Sequence, residues 1–356
     1  MKISYRRLKL HKSYWQKYQR LTFVRTILTN VNFNRVDYYS HRHGQAYRTI
    51  MGLKVFAPAS IGNVGIGFDV LGLCLDKPGD EVIIKESRTK GVTISKITGG
   101  KNLPLNPAKN TAGVAAQAVL DYLGTNIGVD LEIRKKMPSG SGLGSSAASA
   151  VAGAFAVNEF LNRPLSKREL LPFAMKGEEL ASKAYHADNV APSLLGGLIL
   201  IRDNASLDLH RVYTPDGLYL TLVYPDVEIL TADARAVLSD TVPLKTTIQQ
   251  SSNLASFILG MMNSDFDLIG RSLDDVMIEP QRATLIPHFY EVKQAALEAG
   301  ALGCSISGAG PTIFAMSQSS LVAEQIEKAM KGIYNQAKIH CKTYISKVNN
   351  EGAVRC

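Results

Sequence analysis

Eleven consecutive residues, Pro138-Ser139-Gly140-Ser141-Gly142-Leu143-Gly144-Ser145-Ser146-Ala147-Ala148, are of the types that hold an anion. Glycines at alternate positions let backbone N–H groups approach a phosphate with no Cβ in the way. Residues 128–134 upstream alternate like a strand, and 147–161 downstream form a helical run of small residues. The glycines therefore belong to a strand-to-helix turn, where the first helical turn adds free N–H donors and the positive end of its dipole. Ser145 and Ser146 bring hydroxyls that reach a phosphate or a metal-bound water. The stretch lacks the Gly-Lys-Ser/Thr ending of the P-loop and the glycine spacing of the dinucleotide fingerprint. Read alone, it is a phosphate cradle or a flexible turn ahead of a tightly packed helix.

Other polar residues stand out against apolar surroundings. Residues 58–72 are glycine-rich and apolar, interrupted by the strongly polar Asn63 and Asp69. A carboxylate in such a segment needs a partner or a ligand, so Asp69 either caps a loop or faces a small polar substrate. Glu178 lies on a helix ten residues before Asp188. If that helix passes beside the phosphate turn, Glu178 supplies a hard oxygen ligand for Mg²⁺; otherwise it sits on a solvated face. The segment 185–197, with Tyr185, His186, Asp188 and Asn189, ends in a Gly-Gly turn, and no Ser-His-Asp relay is evident.

The elements that position these residues are read in order. A short strand at 54–57 leads into the Asn63–Asp69 segment, and 79–86 with 91–97 suggest an antiparallel pair. Residues 110–123 read as an Ala-rich helix with Asn110 as N-cap. Residues 166–184 read as a helix opened by a Ser166/Glu169 capping box, and 198–201 as an apolar strand. Further on, 218–224 and 228–231 read as strands, 245–262, 266–272 and 285–299 as helices, and 278–282 as a polar break. A second glycine-rich turn, 307–312, lies between strand-like runs, followed by a helix at 321–330 and a strand at 338–345. Strands alternating with helices suggest a split α/β unit of the ferredoxin type.

The 356 residues suffice for two ordinary domains. Residues 1–50 hold 11 Lys and Arg against one acidic residue, Asp37, while the remainder holds 29 against 30. The overall +9 thus belongs to an extension, and the body has no basic signature for nucleic acid. The expected start of the folded domain is Met51, with 1–50 a separate basic segment, disordered or not native. Its readings are an upstream start, which is favoured, an organellar transit peptide, or a basic arm for nucleic acid or anionic lipid. Four scattered cysteines without Cys-x-x-Cys spacing argue against zinc and a disulfide framework and fit reduced thiols in a cytosol. No run of 18 apolar residues is present, so no membrane span is expected.

Taken together, three stretches resemble a known family. The turn 138–148 resembles the phosphate loop of the GHMP kinases, 57–63 their first motif and 307–312 their third. The likeness covers residues 53 to about 345, and within the superfamily 57–72 and 186–197 resemble the homoserine kinase branch. The resemblance implies an α+β, two-domain GHMP kinase fold: an N-terminal ribosomal protein S5 domain 2-like, ATP-binding part at 51–205 and a C-terminal ferredoxin-like split α/β part at 206–356. It implies transfer of the γ-phosphate of ATP to the side-chain hydroxyl of L-homoserine in threonine biosynthesis, with Mg²⁺, in a cytoplasmic homodimer. ATP would lie on residues 138–148 with Asn110 at the adenine, and Ser146 and Glu178 would hold the metal. Asn63, Asp69, Asp188, Arg235 and Arg282 would form the amino-acid pocket, and Asn189 and Thr231 would border the reacting phosphate. The first motif reads Ala57-Pro58-Ala59-Ser60, without the lysine of the mevalonate branch, so Asp188 is either a general base or only an orienting group. A mevalonate-type kinase and a catalytically silent sensor of the same fold remain the alternatives; neither a nucleic-acid nor a membrane partner is expected.

Overall fold

A computed structural model describes residues 52–356, except Lys101, Ala184 and the side chain of Thr231. The expectations for residues 1–50 lie outside the described residues.

The first sheet begins with β1 (Leu53–Gly62) and β2 (Leu71–Ser87), an antiparallel pair with an irregularity between Pro58 and Ser60. β3 (Gly91–Thr98) leads through a 3₁₀ turn into α1 (Thr111–Leu123), whose N-cap Asn110 accepts from Ala112 N–H. The chain returns as β4 (Gly128–Arg134), antiparallel to β2 and parallel to β3. The expected β2–β3 pair is therefore corrected: β4 lies between them, because alternation fixes which face of a strand is apolar and not which strand pairs with its edge.

After the glycine turn come α2 (Ser145–Phe160) and α3 (Lys167–Ser182), the latter with both halves of the Ser166/Glu169 capping box formed. The short α4 (Val190–Leu195) precedes β5 (Leu198–Asp203), which pairs with β2 and with β6 (Asp208–Val212). The β5–β6 hairpin thus carries the first sheet past residue 205. α2 is buried on nearly every side, which its alanines permit. Small residues let helices close in: a Cβ on Gly153 would stand 2.2 Å from the Ala112 carbonyl of α1.

The second sheet opens with β7 (Tyr219–Pro225). Residues 228–231, expected as a strand, instead lead into α5 (Thr231–Ala236), because both edges of β7 are already taken by other strands. α6 (Leu244–Asn263) and α7 (Phe266–Ser272) follow. The expected polar break at 278–282 forms one helical turn, α8 (Glu279–Arg282), because Asp275 accepts the N–H groups of Met277, Ile278 and Glu279. α9 (Phe289–Glu298), β8 (Gly303–Ile306), β9 (Ile313–Ser317), α10 (Ser320–Gln336) and β10 (Cys341–Lys347) complete the unit. The strands lie in the order β10-β7-β9-β8, which is fourth-first-third-second within the unit, as the ferredoxin-type reading expects. β11 (Val354–Arg355) then pairs with β1, so the C-terminus closes an edge of the first sheet.

Candidate active site

The glycine turn bridges β4 and α2, as the alternation and the alanine run predict. Gly140, Gly142 and Gly144 have φ of 63°, 76° and 66°, the left-handed region that side chains resist. At Gly142 space is limiting as well: a Cβ would stand 2.4 Å from the Ser307 carbonyl and 2.8 Å from that of Gly310. The turn is tied to both other glycine-rich motifs. Thr312 N and Oγ1 donate to Ser141 O at 3.2 and 2.5 Å, and Ser307 Oγ donates to Gly142 O at 2.7 Å. Ser60 N donates to Leu143 O at 3.2 Å. Motifs separated by as many as 171 residues therefore meet on one turn.

At the start of α2, Ser146 Oγ donates to Glu178 Oε1 at 2.9 Å, so α3 does pass beside the turn. Burial pushes the Glu178 carboxyl up to about 7, opposed by the Ser146 hydrogen bond. Glu178 Oε2 and Ser141 Oγ are buried without a hydrogen-bond partner among the described residues. A desolvated carboxylate oxygen beside a hydroxyl at a helix N-terminus suits a hard cation.

Asp188 and Asn189 lie just before α4. Asn189 Nδ2 donates to Asp188 Oδ2 at 3.1 Å, and Ser60 Oγ donates to Asn189 Oδ1 at 3.0 Å. Ser60, in the expected first motif, thus braces Asn189 beside Asp188. Burial, with the charge of Asp69 second, pushes the Asp188 carboxyl up to about 7 against the pull of Arg235 and Arg282.

The remaining expected pocket residues surround Phe68. The guanidinium of Arg235 lies 5.1 Å and that of Arg282 4.9 Å from its ring centroid. Arg235 on α5 forks onto Asp69, with Nη2 to Oδ1 at 3.0 Å and Nη1 to Oδ2 at 3.2 Å. Arg282 is buried and donates to the carbonyls of Ala234 (2.8 Å) and Gly308 (3.1 Å). Burial, with Arg235 second, lowers its pKa to about 10, so an added anion there is favoured. Asn63 has φ of 66°, accepts from Asp69 N and donates to Gly308 O, both at 3.0 Å. Its side chain braces the loop with both of its ends. His186 Nδ1 lies 3.6 Å from Asp69 Oδ2, beyond hydrogen-bond range, and burial lowers the His186 pKa. Thr231 opens α5 beside these groups in the chain.

Asn110 is a buried N-cap of α1 whose side chain also donates to Pro104 O at 3.1 Å, and it makes no hydrogen bond to the glycine turn among the described residues. Sequence reasoning passed over Phe68, whose signal is an aromatic directly before Asp69, and named Ser60 in the first motif without giving it a role. It also passed over the buried charges Asp80 and Lys135, signalled by a lysine where the strand before the turn ends.

A glycine turn at a helix N-terminus, a carboxylate–hydroxyl pair beside it and a split α/β second unit define a small-molecule kinase of the GHMP type. Models of the GHMP kinases N terminal domain and of the GHMP kinases C terminal match residues 110–197 and 257–336. A homoserine kinase of Chlorobium phaeobacteroides is 48% identical over 86% of this chain and 99% of its own length. One from Xylella fastidiosa is 40% identical over 84% of this chain and 92% of its own. The crystal structure of homoserine kinase from Cytophaga hutchinsonii superimposes with a TM-score of 0.83 at 44% identity, covering 90% of this chain and all of that one. The chain belongs to the homoserine kinases of the GHMP kinase family.

Proposed function

We propose that this chain transfers the γ-phosphate of ATP to the side-chain hydroxyl of L-homoserine, yielding O-phospho-L-homoserine for threonine biosynthesis. The observation that carries this reading is the meeting of the glycine turn with a pocket bearing two guanidinium groups and two carboxylates. Mevalonate has no ammonium; a zwitterion uses both charge signs of such a pocket.

In this reading the N–H groups of 141–146 and the dipole of α2 hold the ATP phosphates, with Asn110 at the adenine. The substrate carboxylate goes to Arg282 and Arg235, whose planar forks match it. Its ammonium goes to Asp69, so the Arg235–Asp69 pair exchanges an internal ion pair for contacts to the substrate. Asn63 keeps the Asp69 backbone in place. Asp188 receives the substrate hydroxyl, oriented by Asn189 and Ser60, and Thr231 borders the reacting phosphate. A loose transition state requires little prior deprotonation of the alcohol, so positioning does most of the work. Asp188 with a carboxyl near 7 can still accept the proton once the new O–P bond has formed.

Ser146 and Glu178 would hold Mg²⁺, which would neutralise charge developing on the phosphates. A single carboxylate suffices, because Mg²⁺ keeps waters and binds substrate phosphates rather than an all-protein cage.

We propose the division into 51–205 and 206–356, with the β5–β6 hairpin spanning the boundary, and a homodimeric assembly. No helix among the described residues is long and apolar enough to cross a membrane, and the cytoplasm is the proposed location.

The test is ADP release from Mg-ATP with L-homoserine, D-homoserine or mevalonate, for wild type and Arg282→Ala. Turnover with L-homoserine alone is expected, with its KM raised roughly 10- to 100-fold in the variant, as for loss of a charged hydrogen bond. Comparable turnover of mevalonate, or none with L-homoserine, overturns the substrate assignment.

A further inference from the structure

Beneath the phosphate turn lies an ion pair that the reaction as described does not use. Asp80 on β2 is fully buried and Lys135, the residue after β4, nearly so. Lys135 Nζ bonds Asp80 Oδ2, and also donates to Ser145 O and Ser149 Oγ, each at 2.7 Å. Asp80 Oδ1 accepts the backbone N–H groups of Lys136 and Met137 at 2.9 and 3.3 Å, and Ser149 Oγ lies 3.3 Å from Asp80 Oδ2. Every contact falls on a segment flanking the turn: 135–137 upstream, and the first two turns of α2 downstream. The turn between them, 138–144, is left to span two fixed points.

A buried ion pair is a poor way to gain stability, because desolvating both charges offsets their attraction; apolar residues of similar volume do as well or better. Here the pair is fully hydrogen-bonded, and its surplus bonding goes to the backbone on either side of the turn. A phosphate cradle needs N–H groups held in fixed directions, and misplacement by about 1 Å costs roughly 100-fold in rate. From this geometry we infer that Lys135 and Asp80 are positioning residues for the nucleotide. They fix the spacing and tilt of the two ends of the turn, and so set ATP affinity without touching ATP. The inference rests on the assignment of the turn as the ATP site.

The experiment is steady-state ADP release on the full chain with Mg-ATP and L-homoserine, alongside thermal unfolding. Breaking one partner of a buried pair can unfold the chain, so the main variant replaces both, D80L/K135M, which is expected to keep its thermal midpoint within a few degrees. Its KM for ATP should rise about 10- to 100-fold while its KM for L-homoserine stays within about twofold. Ser149→Ala leaves both charges in place and removes the hydroxyl that bridges them to α2; its KM for ATP should rise by about threefold, the loss of one modest hydrogen bond. A folded double variant with an ATP KM within about twofold of wild type overturns the inference, as does an unchanged Ser149→Ala if the double variant does not fold. Ser146→Ala is the control for the underlying assignment. If it leaves ATP KM and kcat unchanged, the assignment of the turn fails; if it is impaired while the other variants are normal, only the positioning role fails.

Discussion

Glu178 and Asp188 are acids held where ionisation is costly, and this has a consequence for stability that can be separated from activity. Burial raises both carboxyls to about 7, whereas carboxylates in an unfolded chain titrate near 4. The folded chain therefore binds more protons between those pH values than the unfolded chain. The contribution of these two groups to folding stability is accordingly greatest below about pH 4 and is lost as pH rises through about 7. Without divalent cation, Glu178→Gln removes this penalty and should raise stability at pH 8 by on the order of 3 kcal/mol, with no gain at pH 4. The same variant should lose at least about 100-fold in activity, since a neutral amide is a weak ligand for Mg²⁺. Thermal melts at both pH values, paired with ADP-release rates, check the two halves independently. A stabilised but inactive variant is the signature of a residue kept for chemistry rather than for folding.

At the scale of elements, reactive groups are placed by unusually close backbone packing. Gly72 on β2 is one such place: a Cβ there would stand 1.8 Å from the backbone carbonyl of Asp188. Gly72→Ala must push away the segment that carries Asp188 and Asn189. Activity should fall by roughly 100-fold or more, the scale for a catalytic group displaced by about 1 Å, with a loss of stability of about 1–3 kcal/mol from overpacking. Steady-state kinetics and denaturant unfolding read the two effects. α8 illustrates the converse device, since a single helical turn is too short to hold itself. Asp275 accepts the N–H groups of Met277 and Ile278, which lead into it, and of Glu279, its first residue, and Glu279 accepts from Ser305 Oγ at 2.6 Å and from Lys293 Nζ. Arg282 is thereby presented from a rigid mount.

At the scale of the whole molecule, the two ends of the described chain close the same sheet. Ala353 N donates to Leu194 O at 3.3 Å and Cys356 N to Lys54 O at 2.9 Å, with β11 against β1 between them. Removing residues 353–356 should cost about 2 kcal/mol, for two or three lost backbone hydrogen bonds and an opened edge, measured as a lower denaturant midpoint. The basic charge of the chain lies outside this body, in residues 1–50. Deleting them should leave kcat and both KM values within about twofold in the ADP-release assay, since every residue assigned to the site falls between Ser60 and Thr312.

What the residue order determined by itself was whatever depends on neighbouring residues. The left-handed turn written by alternate glycines, the N-cap at Asn110 and the capping box at Ser166 and Glu169 are all local backbone chemistry, and each is present in the structure. The family motifs were legible for the same reason, being short and contiguous. Only the tertiary structure decided the pairings. β4 enters between β2 and β3, Arg235 reaches Asp69 across 166 residues, and Asp80 meets Lys135 across 55. Local periodicity states which face of an element is apolar, but not which neighbour covers it. A buried charge is stable only beside its partner, so where these ion pairs form was settled by packing of the sheets and helices.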